Sequence, residues 1–166
     1  MKLASPPGVR TTIRIDGSPG DGGTWRFAVR HENRSATDDV HALLNQLAPS
    51  DRDLLIEEMQ KKLDLGEAGL LQYGETLEDG QVCQMHCVSN VLELRFDDQN
   101  CFNAELDDFE SRKIRIYFSE PERQRDSLVI LSMKHKAPGP IGLPEQDAHA
   151  REASKLATDH GLIERL

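Results

Sequence analysis

Arg95, Arg115, Tyr117, Lys134, His135 and Lys136 are the side chains of this 166-residue chain whose types and spacing suit chemistry on a phosphate. They lie on three strand-like segments, 91–96, 113–118 and 128–136. In the first, Leu92, Leu94 and Phe96 fall on one face, with Glu93 and Arg95 on the other. In the second, Ile114, Ile116 and Phe118 share a face, opposite Arg115 and Tyr117. That period of two belongs to a half-buried antiparallel sheet. If the segments pair, the basic residues and Tyr117 line one solvent-facing surface. Such a surface suits a phosphate backbone, with Tyr117 available to stack on a base. His135 titrates in the range useful for proton transfer, but two flanking lysines oppose its protonation. The same residues also read as ordinary exposed strand positions, with Arg95 and Arg115 in salt bridges to Glu93 or to the acidic stretch that follows.

The elements that must hold these side chains can be read along the chain. Residues 1–23, with Pro6, Pro7 and a glycine-rich stretch over 18–23, read as a flexible arm, in which 11–15 could form a short edge strand. Trp25, Phe27 and Val29 alternate with Arg26, Ala28 and Arg30 and predict a strand over 25–31. Val40, Leu43, Leu44 and Leu47 recur at helical spacing and predict a helix over about 38–47, broken by Pro49. A second helix over about 51–64 is expected to begin at Ser50, with Asp53 in a variant capping box and Gly66 as its stop. Its buried stripe is Leu55, Ile56, Met59 and Leu63. The two helices form an αα-hairpin that must cover one face of a sheet. Residues 82–88 predict a further strand. Pro144 opens a last helix with Ala150, Ala153, Leu156 and Ala157 as its packing stripe and Gly161 at its end. The predicted core joins Trp25, Phe27, Leu44, Leu55, Met59, Leu94, Ile116 and Val129. The order β-α-α-β-β-β-β-α gives an α+β class: a small, mostly antiparallel sheet packed by a two-helix hairpin, with a C-terminal helix. One domain over 24–162 follows the arm.

Charge and cysteine content narrow the setting. The formal net charge is −9, which opposes non-specific nucleic-acid binding. It is unevenly spread. Residues 97–110 hold six acids and no Lys or Arg, whereas 112–136 hold seven Lys/Arg against three acids. Three cysteines argue against a secreted disulfide framework. With no span-length apolar stretch and no apolar signal core, a cytoplasmic protein without a membrane partner is expected. The glycine-rich stretch lacks the Lys-Ser/Thr ending of a phosphate loop. Cys83, His86, Cys87 and Cys101 fit a zinc site poorly, because adjacent strand residues point to opposite faces; Cys83 and Cys87 read instead as small core residues on a shared face. The 107–110 run (Asp107, Asp108, Phe109, Glu110) reads as a charge-rich loop that shields the basic strands or meets a basic partner, in preference to a carboxylate pair holding a metal.

Taken in order, the segments 74–80, 92–95, 114–118 and 129–136, followed by a Pro-opened helix with Ala150 and Arg151, resemble the RelE/HigB-like superfamily of bacterial toxins, and its phage-derived HigB-like branch above all. The resemblance spans roughly 25–160. It implies a RelE-like fold and an endoribonuclease that cleaves mRNA, commonly on the ribosome, and that is neutralised by a cognate antitoxin. It implies no metal and no cofactor, since attack by the ribose 2′-OH needs none. Carried over, Arg95 and Arg115 would clamp the scissile phosphate and stabilise its transition state. Lys134 would hold backbone or assist the chemistry, and Tyr117 or His135 would stack or shuttle a proton. Lys113 and Lys136 would bind RNA. The chain departs from this pattern in its acidity and in the longer 97–111 segment. A non-catalytic interaction module on the same fold, meeting a protein through the acidic loop or the helix hairpin, is the competing reading.

Overall fold

The computed structural model describes residues 9–29, 35–74, 80–85, 87–88 and 91–159. The elements are β1 (Thr24–Phe27), α1 (Ala36–Gln46), α2 (Pro49–Glu67), β2 (Val82–Gln84), β3 (Leu92–Arg95), β4 (Gln99–Asn103), β5 (Asp108–Ser119), β6 (Ser127–Lys136), a 3₁₀ turn at Pro140–Gly142 and α3 (Leu143–Asp159). The strands form one mixed sheet in the order β1-β6-β5-β3-β2, with β4 pairing β5 beyond the end of β3. Only the β1–β6 ladder is parallel; the others are antiparallel. The α+β class read from the sequence therefore holds.

Period two in β3 and β5 sends alternate residues to two faces, and both faces are covered. On one, Leu92, Leu94, Ile114, Ile116, Phe118, Ile130 and Met133 join Val40 and Leu43 of α1 and Leu55 of α2 in one cluster. Trp25 packs edge-on against Phe118 at 5.2 Å and donates its indole N–H to the Leu63 carbonyl at 2.8 Å. On the other face, Tyr117, Val129 and Leu131 meet Ala150, Ala153 and Ala157 of α3. These alanines are fully buried. Their small side chains let the helix lie close to the sheet.

Several local expectations change. Phe27 is 41% exposed, and Val129 belongs to the α3 side, so the predicted single core is two clusters. The break between α1 and α2 is where expected: Leu47 turns extended ahead of Ala48 and Pro49. However, α2 opens on Pro49 itself, with Ala48 at the cap position and no side-chain cap. It also runs through Gly66, whose added Cβ would stand 2.9 Å from the Trp25 ring. Helix and indole pack too closely there for a larger residue. Among the described residues of the predicted 82–88 strand, Val82–Gln84 forms the strand and Met85 adds one bond to Val91, and Cys83 and Cys87 pack into opposite clusters rather than sharing a face.

Residues 9–13 are not a loose arm. Thr11 and Thr12 are fully buried, and the Glu120 carboxylate accepts the Arg10 and Thr11 backbone N–H groups at 2.6 and 3.0 Å. The Arg10 guanidinium donates to the Pro121 carbonyl at 3.0 Å, and Ile13 N–H reaches Leu71 O at 2.8 Å. The buried polar groups of this segment thus find partners across the chain. His31, the 75–79 stretch, His86, Ser89, Asn90 and Gly161 lie outside the described residues.

Candidate functional site

The register brings the predicted phosphate clamps side by side. Arg95 of β3 stands opposite Arg115 of β5, which stands opposite Lys134 of β6; Lys113 stands opposite Lys136. Tyr117 lies between Glu93 and Ser132 on the same face. The convergence expected from the alternation is therefore present, but the solvent-facing surface is not. Arg95, Arg115 and Lys136 are buried, and Tyr117 is fully so. The reason is α3, which lies over this face.

Beneath it runs one polar network. Glu93 Oε1 takes an ion pair from Arg95 Nε at 3.0 Å and from Arg115 Nε at 3.3 Å. Arg95 donates onward to the Gly74 carbonyl at 2.7 Å, and Arg115 to its neighbour's carbonyl at Ile114, also at 2.7 Å. Glu93 Oε2 accepts from Gln146 Nε2 of α3 at 2.7 Å, and Gln146 Oε1 in turn accepts from Lys136. Three cations thus surround one carboxylate. Burial pulls the Arg115 and Lys136 pKa values down, while Glu93 opposes that shift. Arg115 Nε, Tyr117 OH and Ser132 Oγ are buried and make no hydrogen bond among the described residues. Burial also drives the Tyr117 phenol well above its ordinary value. Tyr117 is thus enclosed beneath α3 and is not open to solvent.

The remaining candidates fall elsewhere. His135 lies opposite Ile114, so it shares the α1 face of the sheet and not the face of Arg115. Its Nδ1 accepts from Arg112 Nε at 2.9 Å, and its Nε2 meets Gln46 Oε1 of α1 at 2.8 Å. Burial, then the Arg112 charge, lowers its pKa. Lys134 Nζ sits 3.6 Å from Asp39 of α1. Both residues line a pocket of about 210 Å³ where α1 and α3 meet along β6, together with Glu145 and His149. Lys113 is paired with Asp98 at 3.7 Å. Of the seven predicted residues, Arg95, Arg115, Tyr117 and Lys136 lie in the covered face, Lys134 and His135 line a separate small pocket, and Lys113 pairs with Asp98.

The sequence also reads 97–111 as a loop, whereas β4 and the first part of β5 make it a regular hairpin. Asn100, Phe102, Phe109 and Ser111 form one face of that hairpin, and Gln99 and Cys101 on the other are buried, Cys101 in a bridge to Leu47 just after α1. The signal available beforehand was the alternation Cys101, Asn103 against Asn100, Phe102, which the acidic residues around it hid. A groove of about 460 Å³ opens beside the hairpin base, between Asp51, Leu54, Glu57, Glu58 and Lys61 of α2 and residues 97–100, with Lys61 at 4.0 Å from Glu57. No described helix is long and apolar enough to cross a membrane. No family model, curated protein or solved structure matches the chain.

Proposed function

We propose that this chain is a non-catalytic protein-interaction module on a RelE/HigB-like scaffold. One observation carries the reading: Arg95 and Arg115 are both engaged by Glu93 beneath α3. A phosphate clamp must reach solvent and keep its donors for the transition state. Here Arg95 donates to the Glu93 carboxylate and to a backbone carbonyl, Arg115 donates to a backbone carbonyl with its Nε 3.3 Å from the same carboxylate, and the helix that covers them is itself hydrogen-bonded to Glu93. His135, the natural proton carrier, works from the opposite face of the sheet. The chemistry has a clamp without access and a base without a clamp. The basic residues then act as a polar latch that ties α3 to the sheet. The test is incubation of the purified full chain with mRNA, free and on translating ribosomes, alongside induced expression scored for growth arrest. No cleavage and no arrest are expected. Cleavage that is lost on replacing Arg95 or Arg115 would overturn the reading.

A second reading keeps the endoribonuclease, with mRNA as substrate and an antitoxin as partner. It is favoured by the charge excess of the network, three cations to one carboxylate, which an anion such as a scissile phosphate would balance. It requires α3 to leave the face. In that case Arg95→Ala and Arg115→Ala should each lower the cleavage rate by about 10²–10³, by analogy with the loss of one oxyanion donor.

A further inference from the structure

The β4–β5 hairpin carries an apolar face that the fold does not use. Phe102 and Phe109 form a cross-strand pair with ring centroids 5.5 Å apart, and they are 43% and 45% exposed. Leu106, in the turn, is 64% exposed. The opposite face holds the hairpin in place. Cys101 is 1% exposed and bridges Leu47, while Asp51 of α2 accepts the Asn100 N–H at 2.8 Å. An anchored base with an open aromatic face is a presented surface. A cross-strand aromatic pair does stabilise a hairpin, but that accounts neither for Leu106 nor for the adjoining groove. Asn100 lines that groove and stands on the hairpin face two residues from Phe102, so groove and aromatic pair are continuous. On the groove's far wall Leu54 is 60% exposed.

The charge around this surface selects its partner. Residues 97–110 hold six acids and no Lys or Arg; Asp97 and Asp98 line the groove and Glu105 and Asp107 stand at the turn, while Asp108 and Glu110 fall on the Cys101 face of the hairpin. Among the described residues, only Asp98 and Glu110 of these lie near a cation, at 3.7 Å from Lys113 and 3.8 Å from Arg112. Such a rim repels nucleic acid and repels a second copy of this −9 chain. We propose that the hairpin face and its groove dock a basic protein segment in which Lys or Arg alternates with large apolar side chains. The apolar residues would cover Phe102, Phe109 and Leu106, and the basic ones would meet the acidic rim. This names the partner class of the interaction reading and rests on it.

The experiment uses the full chain and a short fluorescein-labelled synthetic peptide alternating Lys with Leu and Phe, followed by anisotropy. Binding is expected, weakening about tenfold or more between about 50 and 300 mM salt as the rim charges are screened. Phe102→Ser with Phe109→Ser should weaken it by about tenfold or more, the effect of losing buried aromatic anchors. Asp97→Lys in the groove with Glu105→Lys in the turn should do the same without touching the aromatic pair. Glu122→Lys with Asp126→Lys changes the net charge equally in another turn and should change affinity less than about threefold if local contact decides. The matching Glu peptide should not bind. Absence of binding by the Lys peptide, or equal binding by all variants, overturns the proposal. The RNA-cleavage assay is scored separately: a cleaving wild type that also binds the peptide overturns the non-catalytic reading and leaves the docking surface standing.

Discussion

Glu93 is the residue on which the α3 face turns. It is 1% exposed and is the one carboxylate of a network with three cations. Removing the single anion of a buried set leaves charges that nothing offsets, whereas removing one surplus cation relieves repulsion. Glu93→Gln should therefore cost about 3–5 kcal/mol, the range found when one partner of a buried ion pair is deleted. Lys136→Met should fall within about 1 kcal/mol of the unsubstituted chain or stabilise it, since its stem is already buried and its pKa is already lowered by burial. Urea midpoints at constant slope measure both. Equal losses from the two substitutions would show that the charge imbalance has no energetic weight.

At the scale of elements, α3 decides whether the polar face is a surface or an interior. Ala150, Ala153 and Ala157 place a smooth stripe against Tyr117, Val129 and Leu131, and Gln146 joins the same helix to Glu93 and Lys136. A larger, charged side chain in the stripe has no room and no partner. Ala153→Asp should lower the thermal midpoint by about 6–12 °C, from roughly 3 kcal/mol of overpacking and charge burial. Arg151→Asp on the exposed side of α3 should shift the midpoint by no more than about 2 °C, as surface substitutions do. Calorimetry distinguishes them, and a silent Ala153→Asp would mean that α3 does not pack as described. The β4–β5 hairpin stands at the other extreme: one face is anchored to the body and the other exposes Phe102 and Phe109.

For the whole molecule, pH reports on the pocket between α1 and α3. Burial lowers the pKa of both His135 and His149 below the ordinary value of 6.5. His135 has a physical reason to stay neutral: its Nδ1 already accepts the Arg112 N–H, so a proton there would face a donor. His149 Nδ1 is buried without a hydrogen bond among the described residues. Below about pH 6.5 the unfolded chain binds protons that the folded chain refuses, so stability falls as pH drops toward the folded pKa values. The thermal midpoint should fall between pH 7 and pH 5. A His135→Gln, His149→Gln double variant should lose part of that fall, the rest belonging to carboxylates. An unchanged fall in the double variant would place the pH response elsewhere.

How much of this was legible in the sequence follows from what a period can encode. Alternation in 92–96 and 114–118 determined that these segments are strands, which residues share a face, and that Arg95, Arg115 and Tyr117 stand together. Helical spacing determined α1, and the alanine stripe determined that α3 packs on something. A period does not say what lies across from a face. Arg, Glu and Tyr alternate with apolar residues identically on a solvated sheet and on one buried under a helix with a satisfied ion network, because the polar atoms need partners in both cases and water leaves no trace in the sequence. Only the tertiary structure decided that Gln146, more than 50 residues from Glu93, completes that network. It also decided that His135 points away from Arg115, and that the acidic 97–111 segment is an ordered hairpin. Each of these depends on contacts distant in the chain, which local pattern cannot specify.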